Sequence, residues 1–179
     1  MIQFEPTSTQ YRIILVSSRA MPIFELLTQI NAPIEIVFDL ARSIDLHVDS
    51  TAQTKERAIA GVTSGLIGLG DTVTWEATHF FVRQKLTVKI VEYERPNHFR
   101  DSMLKGIFQH FDHDHYFEKT EAGTEMRDVF DYSSPLGILG RTANLLFVDR
   151  HMRKLLATRN KLIKAVAESP DAQRYLKSC

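Results

Sequence analysis

The pattern of apolar and polar positions changes period three times along the chain. "PIFELLTQI" (22–30) alternates as a strand does. "NAPIEIVFDLARS" then brings cap-competent Asn31, Pro33 in the first turn and Glu35 nearby, which are helix-start signals. Ile34, Val37, Phe38 and Ala41 recur at helical spacing and predict one buried stripe, and "IDLHVDST" continues as a second short helix or turn. From Lys55 to Ser133 the period is two, and strands are predicted at 55–63, 71–82, 84–94, 98–106, 109–118 and 123–133. Short connections such as "ERPNH" and "KTEAG" make neighbouring strands antiparallel. After Pro135 the helical period returns, with Leu145, Val148, Met152, Leu155 or Leu156, Leu162 or Ile163, and Val166 on one stripe of a long helix that Ser169-Pro170 should end.

Strand, helix pair, six further strands and a long helix make an α+β order in which the last helix is long enough to cover one apolar sheet face. The 179 residues fit one domain, placed at 21–168. Residues 1–20 read as an extension, disordered or added at a sheet edge, and 169–179 as a loose tail. Twenty-two basic residues balance twenty-two acidic ones, so no global field marks a nucleic-acid partner. The single cysteine, Cys179, leaves no internal disulfide and fits a reducing cytoplasm. "IILV" at 13–16 is too short for a signal core or a membrane span, so no stable membrane insertion is expected. Oligomeric state is not legible.

This order, with "NAPIEIVFDLARSIDLH", "GVTSGLIGLGDTVTWEATHF", "ERPNHFRDSMLKGIFQHFDHDHYFE" and "GTEMRDVFDYSSPLGILGR", resembles the START-like, polyketide-cyclase-type superfamily known as SRPBCC, in its bacterial branch, over roughly residues 21–168. The Gly68–Asp71 turn, Phe99 with Asp101, and Ser134–Gly137 carry the likeness. The resemblance implies a helix-grip fold: a bent antiparallel sheet of about seven strands wrapped around the C-terminal helix, with a cavity between them for a hydrophobic or amphipathic small molecule. The superfamily holds lipid carriers, hormone receptors and aromatase/cyclases, so fold does not choose among these roles.

Candidate chemistry concentrates in "FQHFDHDHYFE" (108–118). Alternation puts Phe111, His113, His115 and Phe117 on one face and His110, Asp112, Asp114, Tyr116 and Glu118 on the other. The next strand presents Thr124, Met126, Asp128, Phe130 and Tyr132 together. If the "KTEAG" turn sets Phe117 opposite Thr124, His115 faces Met126 and His113 faces Asp128, with Cβ atoms about 5 Å apart. Phe99, Asp101 and Met103 should share this concave face.

Three readings compete. Polar groups inside a cavity must be hydrogen-bonded, so His113, His115, Asp101 and Asp128 satisfy one another and set the polarity of a pocket. Alternatively, an imidazole held by Asp128 could work as acid or base in cyclase- or dehydratase-type chemistry, with His113, Asp128 and Asp101 as the catalytic set. A metal is the weakest reading, because H-x-H alone is a two-residue signal, and no metal or cofactor is expected. No serine, cysteine or lysine stands in a nucleophile motif.

The glycines of "GVTSGLIGLGD" precede a strand rather than a helix, which argues against a phosphate loop and for a hairpin with positive-φ positions. Val73, Trp75, Ala77, His79 and Phe81 share a face, as do Leu86, Val88 and Ile90; Trp75 is expected to pack on the C-terminal helix. Arg141, Arg150, Arg153, Lys154, Arg159, Lys161 and Lys164 make the outer side of that helix basic, a surface that could meet an acidic partner or lipid. Arg150, His151 and Arg153 are candidates for the cavity mouth. The sequence thus points to enclosure of a small apolar or amphipathic ligand by Trp75, Leu86, Val88, Phe111, His113, His115, Met126, Asp128, Phe130 and Tyr132. Acid–base catalysis is the alternative, and a regulatory role through the basic helix is a third.

Overall fold

The computed structural model describes residues 23–79, 82–133 and 148–176. The expected extension at 1–20, Phe81, the Ser134–Gly137 motif, Arg141, Leu145 and Cys179 lie outside these residues. Seven strands form one antiparallel sheet: β1 (Ile23–Ile30), β2 (Arg57–Gly61), β3 (Thr72–His79), β4 (Val82–Glu94), β5 (His98–Lys105), β6 (His110–Thr120) and β7 (Gly123–Ser133), in the order β1-β7-β6-β5-β4-β3-β2. Consecutive strands are neighbours throughout β2–β7, as short hairpin connections require. β1 closes onto β7 with Leu26 opposite Asp128.

Helices α1 (Ile34–Ala41) and α2 (Ile44–Ser50) follow β1, and α3 (Asp149–Ala167) follows β7. The stripe expected in α1 is buried, with Phe38 set edge-on against Tyr93, Phe99 and Phe117 at 5.3–5.4 Å between ring centroids. This aromatic wedge packs one end of the concave face, and burial of a ring that size contributes on the order of 2–3 kcal/mol. Helix α3 packs on β1, α1 and α2. Strands β3 and β4 are therefore not covered by α3, and a hollow remains between them and the helix.

Three local expectations change. Asn31 does not cap α1: Pro33 holds the N-cap position, and the Asn31 N–H donates to Glu168 Oε1 at 2.8 Å. The β6–β7 register is two residues from the one expected. Phe117 faces Met126, His115 faces Asp128 and His113 faces Phe130, because the turn sits at Glu121–Ala122 with Thr120 paired to Gly123. Gly123 has φ +129° and passes so close to β1 that a Cβ there would lie 2.3 Å from the Ile30 carbonyl oxygen, which pins the turn at that point. Of the tail expected to be loose, the described part, to residue 176, is docked. A helical turn, Ala172–Tyr175, buries both of its ends, and Tyr175 donates its hydroxyl to Asp49 Oδ2 at 2.7 Å while its carbonyl accepts from Ser43 Oγ.

Candidate functional site

Between the concave face of β3–β7, helices α1–α2 and helix α3 lies a cavity of about 330 Å³, within the range of small-molecule sites. Its walls are mostly apolar. Val73, Trp75, Leu86, Val88 and Ile90 come from β3 and β4, Phe111 and Phe130 from β6 and β7, Ile44 and Ile67 from the helix side, and Met152, Leu155 and Leu156 from α3. Asp101, His113, His115 and Arg159 form one polar cluster in the wall, and Arg42, His47, Glu56, Gln84 and Lys85 also line the cavity.

Strand pairing assembles this cluster. Asp101 on β5 lies opposite His113 on β6, and His115 lies opposite Asp128 on β7, so two acids flank two adjacent inward histidines. His113 Nε2 is 3.0 Å from Asp128 Oδ1, and His115 Nε2 is 3.1 Å from Asp101 Oδ1. His115 Nδ1 is only 2.9 Å from Asp128 Oδ1 but lies off the hydrogen-bonding direction and has no hydrogen-bond partner. The imidazole rings of His113 and His115 are 3.8 Å apart, and Phe99 stacks on His115 at 4.1 Å. Helix α3 completes the arrangement from the other layer. Asn160 Nδ2 donates to Asp128 Oδ2 at 2.6 Å and to Thr28 Oγ1 at 3.1 Å, while Arg159 donates to the Ala41 carbonyl at 2.7 Å and approaches Asp128 Oδ1 at 3.5 Å.

Protonation follows from this enclosure. Burial pushes the His113 imidazole down to about 4, with the neighbouring His115 adding to the effect and Asp128 opposing it, so His113 is neutral near pH 7. A neutral His113 that donates Nε2–H to Asp128 carries its free lone pair on Nδ1, which lies 3.8 Å from Asp101 Oδ1. Burial alone would raise both carboxyls. The two imidazoles close to Asp128 outweigh burial and hold it well below the usual carboxylate range, and the bond from His115, with the fields of His113 and Arg159, likewise lowers Asp101.

Of the residues expected to line a pocket, Trp75, Leu86, Val88, Phe111, His113, His115 and Phe130 face the cavity. Met126, Asp128 and Tyr132 do not: all three are essentially fully buried behind the wall. Asp128 holds the imidazoles from the rear, and Tyr132 packs among Phe24, Phe108 and Phe130. Trp75 stacks on His47 of α2 at 4.1 Å, not on the C-terminal helix. His151 lines the cavity, whereas Arg153 pairs with Asp149 and lies over the Phe24 ring.

Arg159 is the residue that the charge pattern misassigns. Composition counts it with the basic outer face, yet it is 5% exposed and aims into the fold. The spacing Met152, Leu156, Arg159, Ile163, Val166 places it in the apolar stripe, and that is the signal that could have found it. With Arg159 inside, Arg153 paired to Asp149 and Lys164 paired to Glu168, the outer face of α3 is less basic than its composition suggests.

No family model matches the chain, and no curated protein matches its sequence. Solved structures do match. The protein TTHA0849 from Thermus thermophilus is 18% identical with a TM-score of 0.64, over 82% of this chain and 99% of that one. Ms6760 from Mycobacterium smegmatis is 15% identical with a TM-score of 0.63, over 88% and 96%. Ginseng major latex-like protein 151 from Panax ginseng is 11% identical with a TM-score of 0.62, over 84% and 100%. These likenesses show the fold: a bent antiparallel sheet with a long C-terminal helix, the α+β helix-grip arrangement. Among the described residues, no helix is long and apolar enough to cross a membrane.

Proposed function

We propose that the protein binds one small, mainly apolar molecule in the cavity, with a hydroxyl or carbonyl of that molecule turned toward Asp101, His113 and His115. The observation that carries this reading is a hollow with mostly aliphatic and aromatic walls and a cluster of polar side chains set into them, which both encloses and orients a ligand. Within the cluster, Asp101 and the Asp128 behind it set two carboxylates against the one guanidinium of Arg159, which favours a neutral group there over an anionic one.

The test is a titration with the neutral fluorophore N-phenyl-1-naphthylamine. Saturable uptake at one molecule per chain is expected, and Val88→Trp, which fills the apolar end, should abolish it while circular dichroism stays native. Uptake that survives Val88→Trp would place the binding elsewhere and defeat the proposal.

A second reading, acid–base catalysis, is favoured by one contact, the 3.0 Å approach of His113 to Asp128. In it, Asp128 fixes the imidazole and His113 Nδ1 takes a proton from the bound molecule. It predicts a chemical change in a molecule incubated with the native protein that is absent with His113→Gln, although both take up the fluorophore.

A further inference from the structure

We propose that Asp101, His113 and His115 form a binding site for a divalent transition-metal ion of the Zn²⁺ or Fe²⁺ class, open on one side to the cavity. This departs from the expectation that no metal is bound, which took H-x-H as a weak signal. Pairing of β5 with β6 sets Asp101 opposite His113 as the third donor. One ligand atom from each of the three residues lies within 4.8 Å of the other two. Asp101 Oδ1 is 3.1 Å from His115 Nε2 and 3.8 Å from His113 Nδ1. Metal–ligand bonds of about 2.0–2.2 Å at ordinary coordination angles separate neighbouring donors by roughly 3–3.5 Å, so the His115–Asp101 pair already has the required spacing and His113 must close in to complete the site.

The surroundings argue for a metal more strongly than the three donors do. The remote nitrogens of both histidines, His113 Nε2 and His115 Nδ1, face the same oxygen, Asp128 Oδ1, at 3.0 and 2.9 Å. Asp128 is itself anchored from its other oxygen by Asn160. A buried carboxylate behind the imidazoles is the arrangement that orients metal-bound histidines and fixes their tautomers. Without a metal, His115 Nε2 is hydrogen-bonded to Asp101 Oδ1 and His115 Nδ1 has no partner. A cation taking the place of the proton between Nε2 and Asp101 moves the His115 proton to Nδ1, where a small turn of the ring aims it at Asp128 Oδ1, 2.9 Å away, and the cation offsets the excess of carboxylate over guanidinium. Two imidazoles and one carboxylate suit zinc or ferrous iron, and the remaining coordination positions face the cavity.

The site uses the same three residues that the proposed organic ligand faces, and separate probes for the metal and for the organic molecule let the two readings fail separately. The experiment uses full-length, untagged protein stripped with a chelator that is then removed. Zn²⁺ is titrated in competition with a chromophoric chelator, and Co²⁺ is followed by its visible spectrum. One equivalent is expected. Asp101→Asn and His115→Gln should each weaken it at least about 100-fold, and Asp128→Asn about 10- to 100-fold. Val88→Trp should leave Zn²⁺ binding unchanged while abolishing fluorophore uptake. On the native chain, nitrogen-15 NMR of the imidazoles with Zn²⁺ should show His113 protonated on Nε2 and His115 on Nδ1, a readout that needs no variant to fold. Absence of Zn²⁺ binding at ~100 μM would overturn the site, since buried His/His/Asp centres bind far more tightly. So would binding indifferent to Asp101→Asn and His115→Gln, or binding lost in His110→Ala, whose imidazole sits on the outer face near Asp112 and Asp131.

Discussion

Strands β5 and β6 carry two acid–histidine clusters, one on each face of the same sheet, and they are built differently. On the outer face Asp114 receives Arg100 through both oxygens, at 2.8 and 3.0 Å, and His98 at 2.7 Å, while Arg100 reaches on to Glu92 at 2.8 Å. Its donors and acceptors come from adjacent strands and saturate one another beside solvent. On the inner face, Asp128 is held from the rear by Asn160 and Arg159 of another layer, and Asp101, His113 and His115 keep an edge turned to the cavity. The same residue types alternate along one strand, yet only the inner set keeps polar atoms available for a guest. A charged cluster becomes a candidate site when its geometry leaves it unfinished, not because it is charged.

Stability should separate the clusters most. Asp128→Ala strips the partner from two buried imidazoles and from Arg159 and should cost about 3–5 kcal/mol in urea unfolding. Asp114→Ala, whose partners can turn to water, should cost about 1.5–3 kcal/mol. A larger loss at Asp114 would reverse the comparison.

Acid should act on the inner cluster before the outer one. In metal-free protein His113 titrates near 4 when folded and near 6.5 when unfolded, so between those values the unfolded chain binds a proton that the folded chain does not. Stability therefore falls as pH drops through about 6.5 and this contribution levels off near 4, a loss of roughly 3 kcal/mol at most. The lowered carboxyls of Asp101 and Asp128 extend the loss below pH 4. His113→Gln should flatten the part between 6.5 and 4, as followed by urea midpoints across pH. Persistence of the full slope in that variant would assign the titration to another group.

The smallest effect should come from His98→Gln on the outer face. It should cost about 1 kcal/mol and leave fluorophore and zinc titrations where they were. A change in either titration would mean that the two faces communicate.

Much of this contrast is legible in the sequence, because strand alternation dictates faces. Alternation alone assigns His113, His115, Asp101 and Asp128 inward, and His110 and Asp112 outward. Register is not legible. It depends on where Gly123 turns the chain against β1, and that is a contact with a strand about a hundred residues away in sequence. Alternation also cannot say which inward residues a second layer covers, so Met126, Asp128 and Tyr132 read as lining when they lie behind it. Arg159 escapes a reading that weighs charge above spacing. Its place in the stripe of α3 is visible, but its acceptors, Asp128 and the Ala41 carbonyl, come from elements brought together only by folding.

The central claim is a mostly apolar hollow between the sheet and α3 with the Asp101, His113 and His115 cluster in its wall. A crystal structure of the protein with N-phenyl-1-naphthylamine tests it most directly. The rings should lie among Trp75, Val88 and Leu156, with the amine toward Asp101 and His115. Rings found on the outer surface, with the space between β4 and α3 filled by protein side chains, would contradict the account.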